Sequence, residues 1–172
     1  ESEIRPKKLF KKYLNLSKKD AESFDKSSFE IVNCVSCDSP LSKIKYKKDG
    51  FNYNICESCG TLFCNPRPSL ETLDNFYKNS ISSKFWFEEF LPKVEESRRE
   101  KIFKKKAIQL FNLINENKIL VSDLCDVGAG SGVFLEELKK IKTDISYYAI
   151  EPGEVSSKII SEKGFSVLQK GV

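Results

Sequence analysis

The chain has 172 residues, which is room for one ordinary domain or for a small module beside part of a larger one, and too few for two full domains. Its 40% hydrophobic and 12% aromatic content supplies a core and separates it from disordered, highly charged sequences. The net charge of +4 comes from 29 basic residues against 25 acidic ones, and the absence of His excludes a Ser-His-Asp triad, a His base and a His metal ligand.

Residues 1–29 read as a basic N-terminal extension, charged throughout and without the apolar centre of a signal peptide. No run approaches the roughly 18 apolar residues that a membrane span requires, so a cytoplasmic protein with no membrane partner is expected. Nucleic acid is not expected as a partner either. Arg, the residue of bidentate phosphate and base contacts, is limited to Arg5, Arg67, Arg98 and Arg99.

Residues 30–65 hold two Cys-x-x-Cys pairs, Cys34/Cys37 and Cys56/Cys59, with 18 residues between them. That spacing predicts a zinc ribbon: four thiolates suit tetrahedral Zn²⁺, and each Cys-x-x-Cys turn presents two sulfurs to one ion. Asp49-Gly50, between KIKYKK and FNYNI, signals a hairpin turn, and Gly60 after Cys59 tolerates the positive φ of a knuckle. Disulfides would suit a secreted chain and leave two of the six cysteines over, and a redox Cys-x-x-Cys would need a βαβ context that this segment lacks. A site closed by four thiolates has no open position for water, so a structural metal is expected. Cys64 and Cys125, in apolar strings, are expected to be small buried hydrophobes.

Residues 66–115 form a helical linker region. The prolines of Asn65-Pro66-Arg67-Pro68-Ser69 extend the chain, and Ser69 is the expected N-cap of LETLDNFYKN. From 84 to 115 the pattern is helical, with an aromatic group around Phe85, Trp86 and Phe90 expected in the core. Arg98 and Arg99, beside Glu95, Glu96 and Glu100, are expected on a solvated helix face.

Residues 116–172 change to an apolar strand, a glycine-rich turn and a helix with Phe134, Leu138 and Ile141 inward. There follow a strand (ISYYAIEP), a helix with Val155, Ile159 and Ile160 inward that stops at Gly164, and a strand (FSVLQ). This βαβαβ order predicts a parallel half-sheet of Rossmann type, so the fold class is α/β: a zinc ribbon, helices, then a partial Rossmann-like sheet. The turn reads Asp126-Val127-Gly128-Ala129-Gly130-Ser131-Gly132. The dinucleotide fingerprint would need glycine at 133, where Val133 stands. Glu151 ends the second strand, where a carboxylate can accept ribose hydroxyls. A nucleotide-like ligand without a pyrophosphate, such as S-adenosylmethionine, fits this pattern; NAD is disfavoured, and a ribbon-bearing binding module without enzymatic activity remains the other alternative.

The two Cys-x-x-Cys pairs, CGTLFCNPRPS from Cys59 to Ser69, the Phe76-Tyr77 pair, LCDVGAGSGVFLEEL and AIEP together resemble the class I S-adenosylmethionine-dependent methyltransferases. Within that family the likeness is to bacterial members with an N-terminal zinc-binding segment. The resemblance implies that Asp126, Gly128, Ala129, Gly130 and Gly132 cradle the methionine part of the cofactor and that Glu151 holds its ribose. It also implies a small-molecule or sugar-type methyl acceptor, including surface-polysaccharide precursors. A full class I fold continues through further strands, so the sequence reads as the N-terminal part of such an enzyme. Its sheet is then expected to be half covered, with catalytic residues beyond the third strand.

Overall fold

A computed structural model describes residues 1–171 and has an α/β architecture. The chain divides into two compact units: Leu14–Phe76, and Glu1–Tyr13 together with the chain from Tyr77 onward. The basic extension is helical. Helix α1 (Lys7–Ser23) follows Pro6, whose fixed φ suits a helix start, and turns Leu9, Phe10, Tyr13, Leu16, Ser17 and Asp20 away from solvent at helical spacing.

In the Leu14–Phe76 unit, β1 (Ser42–Lys48), β2 (Phe51–Cys56) and β3 (Leu62–Cys64) form an antiparallel sheet in that order. Asp49 and Gly50 join β1 to β2 at φ 48° and 80°, the two positive values that a two-residue hairpin turn with native twist demands. A small core of Cys34, Cys56 and Phe63 lies under the knuckles. Phe24, Phe29, Phe51 and Phe76 form a second apolar cluster with ring centroids 5.4–6.2 Å apart. Ser69 accepts from the Thr72 N–H and so caps α2 (Leu70–Asn79).

The other unit contains helices α3 (Ile81–Phe85), α4 (Leu91–Arg98) and α5 (Lys104–Glu116), joined without a break by π turns at Trp86–Phe90 and Arg99–Phe103. Pro92 opens α4 without an N–H to donate back, and the wide turn before it accommodates that loss. Next come β4 (Asp123–Val127), α6 (Val133–Ile141), β5 (Ser146–Ile150), α7 (Glu154–Glu162) and β6 (Ser166–Leu168), with a parallel sheet in the order β4-β5-β6. Tyr147 and Ala149 of β5 point into a core with Ala107, Phe111, Leu135, Leu138, Ile160 and Phe165. By alternation the other face carries Cys125, Val127, Tyr148 and Leu168, all exposed.

Several expected positions differ. Cys125 is exposed because it lies on that uncovered face, and Cys64 is only half-buried, its thiol donating to the Pro66 carbonyl. Ile141 is exposed at the last residue of α6, and the apolar stripe runs through Leu135 and Leu138 instead. Val155 is exposed as well. The inner face of α7 is Ser156, Ser157 and Ile160, and the serines face inward because their hydroxyls bind Glu151.

Candidate functional site

The four cysteines converge. Their sulfurs all lie within 4.8 Å of one another, with Cys34–Cys59 at 3.6 Å and Cys37–Cys56 at 3.7 Å. A disulfide is far shorter, whereas the edge of a tetrahedron with metal–sulfur bonds of about 2.3 Å is about 3.8 Å. The two knuckles are built alike, as Cys-Val-Ser-Cys-Asp-Ser and Cys-Glu-Ser-Cys-Gly-Thr. Asp38 and Gly60 occupy the same position at φ 57° and 77° and donate to the Cys34 and Cys56 carbonyls. The Cys34 N–H bonds the Ser39 carbonyl and the Cys56 N–H bonds the Thr61 carbonyl, closing each turn. The serines Ser39 and Ser58 link the knuckles through their hydroxyls at 2.8 Å. This internal repeat was available in the sequence, and it identifies Asp38 as the counterpart of Gly60.

Four thiols so close cannot all ionise without a cation between them. The Thr61 hydroxyl and N–H favour the Cys59 thiolate, bringing its pKa down to about 6. The Ser39 N–H favours ionisation of Cys37 too, but proton sharing with Cys59 and burial outweigh it and push that thiol up to about 12. The donor set therefore fits a soft divalent metal held by Cys34, Cys37, Cys56 and Cys59.

The glycine loop connects β4 to α6. Gly128, Gly130 and Gly132 take φ of 77°, 58° and 73°, the left-handed region that disfavours any Cβ. A Cβ on Gly128 or Gly130 would meet nothing within 4 Å, so the backbone there faces open space that a ligand can enter. Gly132 differs: its Cβ would come 3.3 Å from Ile160 Cγ1, and it serves the close packing of α6 on α7. The loop opens on a cleft of about 400 Å³ lined by Asp126, Gly128, Ala129, Gly130 and Ser131, with Trp86, Phe87, Leu91, Phe103 and Phe134 as its apolar wall. Among the sequence-predicted residues, Asp126, Gly128, Ala129 and Gly130 meet in this cleft; Gly132 does not line it.

Glu151 is buried at the end of β5 and holds the loop from below. Its Oε2 accepts from the Gly130 N–H at 2.8 Å, and its Oε1 accepts from the Gly153 N–H at 3.1 Å and the Ser156 hydroxyl at 2.9 Å. With three donors engaged, Oε2 keeps an acceptor direction for a further hydroxyl. Glu151 does not line the glycine-loop cleft; it lines a second cleft of about 450 Å³ together with Ser83, Lys84, Phe87, Gly153 and Ser156. Asp126 is pushed above the ordinary aspartate value by burial and then by the Glu151 charge.

The paired arginines are not a solvated face. Arg99 reaches Glu137 at 2.7 Å, Glu136 at 2.8 Å and Glu95 at 3.3 Å, with its side chain 13% exposed. Lys163 and Lys140 complete this network at 2.8 Å from Glu136 and 2.5 Å from Glu137. Arg98 turns into the glycine-loop cleft. Its guanidinium lies over the Trp86 and Phe103 rings, 12 residues before and 5 after it, a contact that neighbouring glutamates in the sequence do not suggest. No helix among the described residues is long and apolar enough to cross a membrane. Compared with protein-family models and with curated proteins, the chain matches none.

Proposed function

We propose that the chain binds S-adenosylmethionine and belongs to a methyltransferase acting on a small-molecule or sugar-type acceptor, with one structural zinc ion in the four-cysteine cluster. The observation that carries the reading is the pair Gly128 and Gly130. Their positive φ and empty Cβ positions leave backbone open to a ligand, beside a buried carboxylate that fixes the same loop. When bound, S-adenosylmethionine supplies an electrophilic methyl group on a sulfonium, so the protein's part is position and exclusion of water.

Gly128 and Gly130 admit the amino-acid portion, Asp126 receives its ammonium group, and Glu151 offers its remaining acceptor direction to a ribose hydroxyl. The wall of Trp86, Phe87, Leu91, Phe103 and Phe134 displaces water from the cleft. An NAD reading is less suited to this loop, because Val133 is 3% exposed and packed where the dinucleotide pattern has its third glycine. In the cysteine cluster all four positions of a tetrahedral ion are filled by thiolates, which supports a structural and not a catalytic zinc. A four-thiolate site persists in a reducing compartment, consistent with the cytoplasm.

Titration calorimetry of the protein with S-adenosylhomocysteine and with NAD tests the cofactor assignment. Binding of the adenosyl ligand without binding of NAD is expected. Binding of NAD alone, or of neither, overturns it.

A further inference from the structure

Arg98 leaves the last turn of α4 and enters the cleft on which Gly128, Ala129 and Gly130 open. Its guanidinium carbon lies 5.5 Å from the Trp86 ring centroid and 5.6 Å from that of Phe103, so the cation is held by two aromatic rings. Trp86 and Phe103 come from the two π turns, and α4 between them carries the arginine. Arg98 Nε is buried without a hydrogen-bond partner. Among the described residues its guanidinium makes no ion pair, since the neighbouring Glu95 and Glu96 are taken by Arg99. Burial disfavours its charge, and the nearby Arg5 adds like-charge repulsion.

A guanidinium has five donors, and the Nε donor left unpaired in its buried place is costly. The cleft itself carries both signs: Arg98 and Lys106 on one hand, Asp126 and Glu95 on the other. Glu95 is already paired with Arg99 and Lys163, so the acidic group open to a ligand there is Asp126, against which a phosphate would be repelled. An α-amino acid brings a carboxylate and an ammonium together and complements both.

We propose that Arg98, positioned by Trp86 and Phe103, holds the carboxylate of an α-amino-acid moiety in this cleft, with Asp126 on its ammonium side. The identity of the ligand rests on the S-adenosylmethionine reading. The test is calorimetry with S-adenosylhomocysteine and its decarboxylated analogue on the wild-type protein, Arg98→Gln and Arg98→Lys. The wild type should prefer the carboxylate-bearing ligand by about ten- to hundredfold, the range for a hydrogen-bonded charge. Arg98→Gln should bind both ligands equally, at the level of the analogue, and Arg98→Lys should recover part of the preference. A full preference retained in Arg98→Gln removes the assignment and leaves the cofactor reading standing. Equal losses for both ligands in Arg98→Gln assign a structural role and also remove it. Wild-type protein that binds neither ligand overturns both readings. Where Arg98→Gln does not fold, Arg98→Lys decides: undiminished preference in that variant refutes the proposal.

Discussion

Gly130 and Gly132 lie in one loop with nearly the same backbone, and their surroundings separate their roles. Gly130→Val puts a branched side chain into the cleft at φ 58°, so S-adenosylhomocysteine binding should be lost, together with about 1–2 kcal/mol of stability from the left-handed conformation. Gly132→Ala carries the same backbone penalty plus a 3.3 Å contact with Ile160, but faces α7. It should melt earlier while retaining wild-type affinity in the protein that remains folded. Melting temperature and calorimetric affinity, measured on both variants, check the contrast; a folded Gly130→Val that binds normally contradicts the site. Asp126 gives a prediction of opposite kind. Its folded pKa is raised, so the native state holds its proton more firmly than the unfolded chain does, and stability falls as pH climbs from the ordinary aspartate value of 3.8 through the raised one. Asp126→Asn should therefore raise the melting temperature at neutral pH and flatten that dependence, while weakening a ligand that brings an ammonium group. Melting curves between pH 3 and 7 with matched affinities test both halves.

Among the elements, α6 is held to the long helix by charge as well as by its apolar stripe. Glu136 is partly buried and Glu137 buried, which by itself would raise their pKa values. Lys163 and Arg99 act on the first, Lys140 and Arg99 on the second, and hold both below the ordinary glutamate value of 4.5. This stabilisation is full above that value and is lost as pH falls through the depressed ones. Arg99→Gln should cost about 2–3 kcal/mol, less than a wholly unpaired buried charge because both lysines remain, and should remove much of the acid sensitivity below pH 4.5. Denaturant midpoints at pH 7 and pH 3 give the answer. Elements of this kind mark what the sequence concealed. The hairpin was legible in Asp49-Gly50, the knuckles in the cysteine spacing and the βαβαβ order in alternating apolar runs, because each signal is local. Arg99 pairs with Glu136 and Glu137 across the fold, so neighbouring glutamates suggested a solvated face. Ser156 and Ser157 face inward through hydrogen bonds that apolar periodicity does not register. Helix α1 went unread because Lys residues surround its inward positions.

At the scale of the whole molecule, the two units have separate sources of cohesion. The glycine-loop unit has a contiguous apolar core spanning α5, α6, α7 and β5. The cysteine-bearing unit has the three-residue core of Cys34, Cys56 and Phe63 beside its phenylalanine cluster, and two of those three core residues are ligands of the proposed zinc. Metal binding worth about 10–16 kcal/mol in peptide models is large against what so few side chains supply. A strong chelator should remove one zinc per chain and abolish the cooperative transition of the antiparallel sheet, and Cys37→Ser should reproduce that loss without chelator. The single tryptophan, Trp86, lies in the wall of the other unit's cleft and reports on that unit alone. Its fluorescence melt, and its response to S-adenosylhomocysteine, should persist after chelation while metal analysis and circular dichroism record collapse of the knuckles. Loss of the Trp86 transition together with the metal would mean that the two units fold as one cooperative body. A sheet signal unaffected by complete removal of zinc would show that the phenylalanine cluster suffices without the ion.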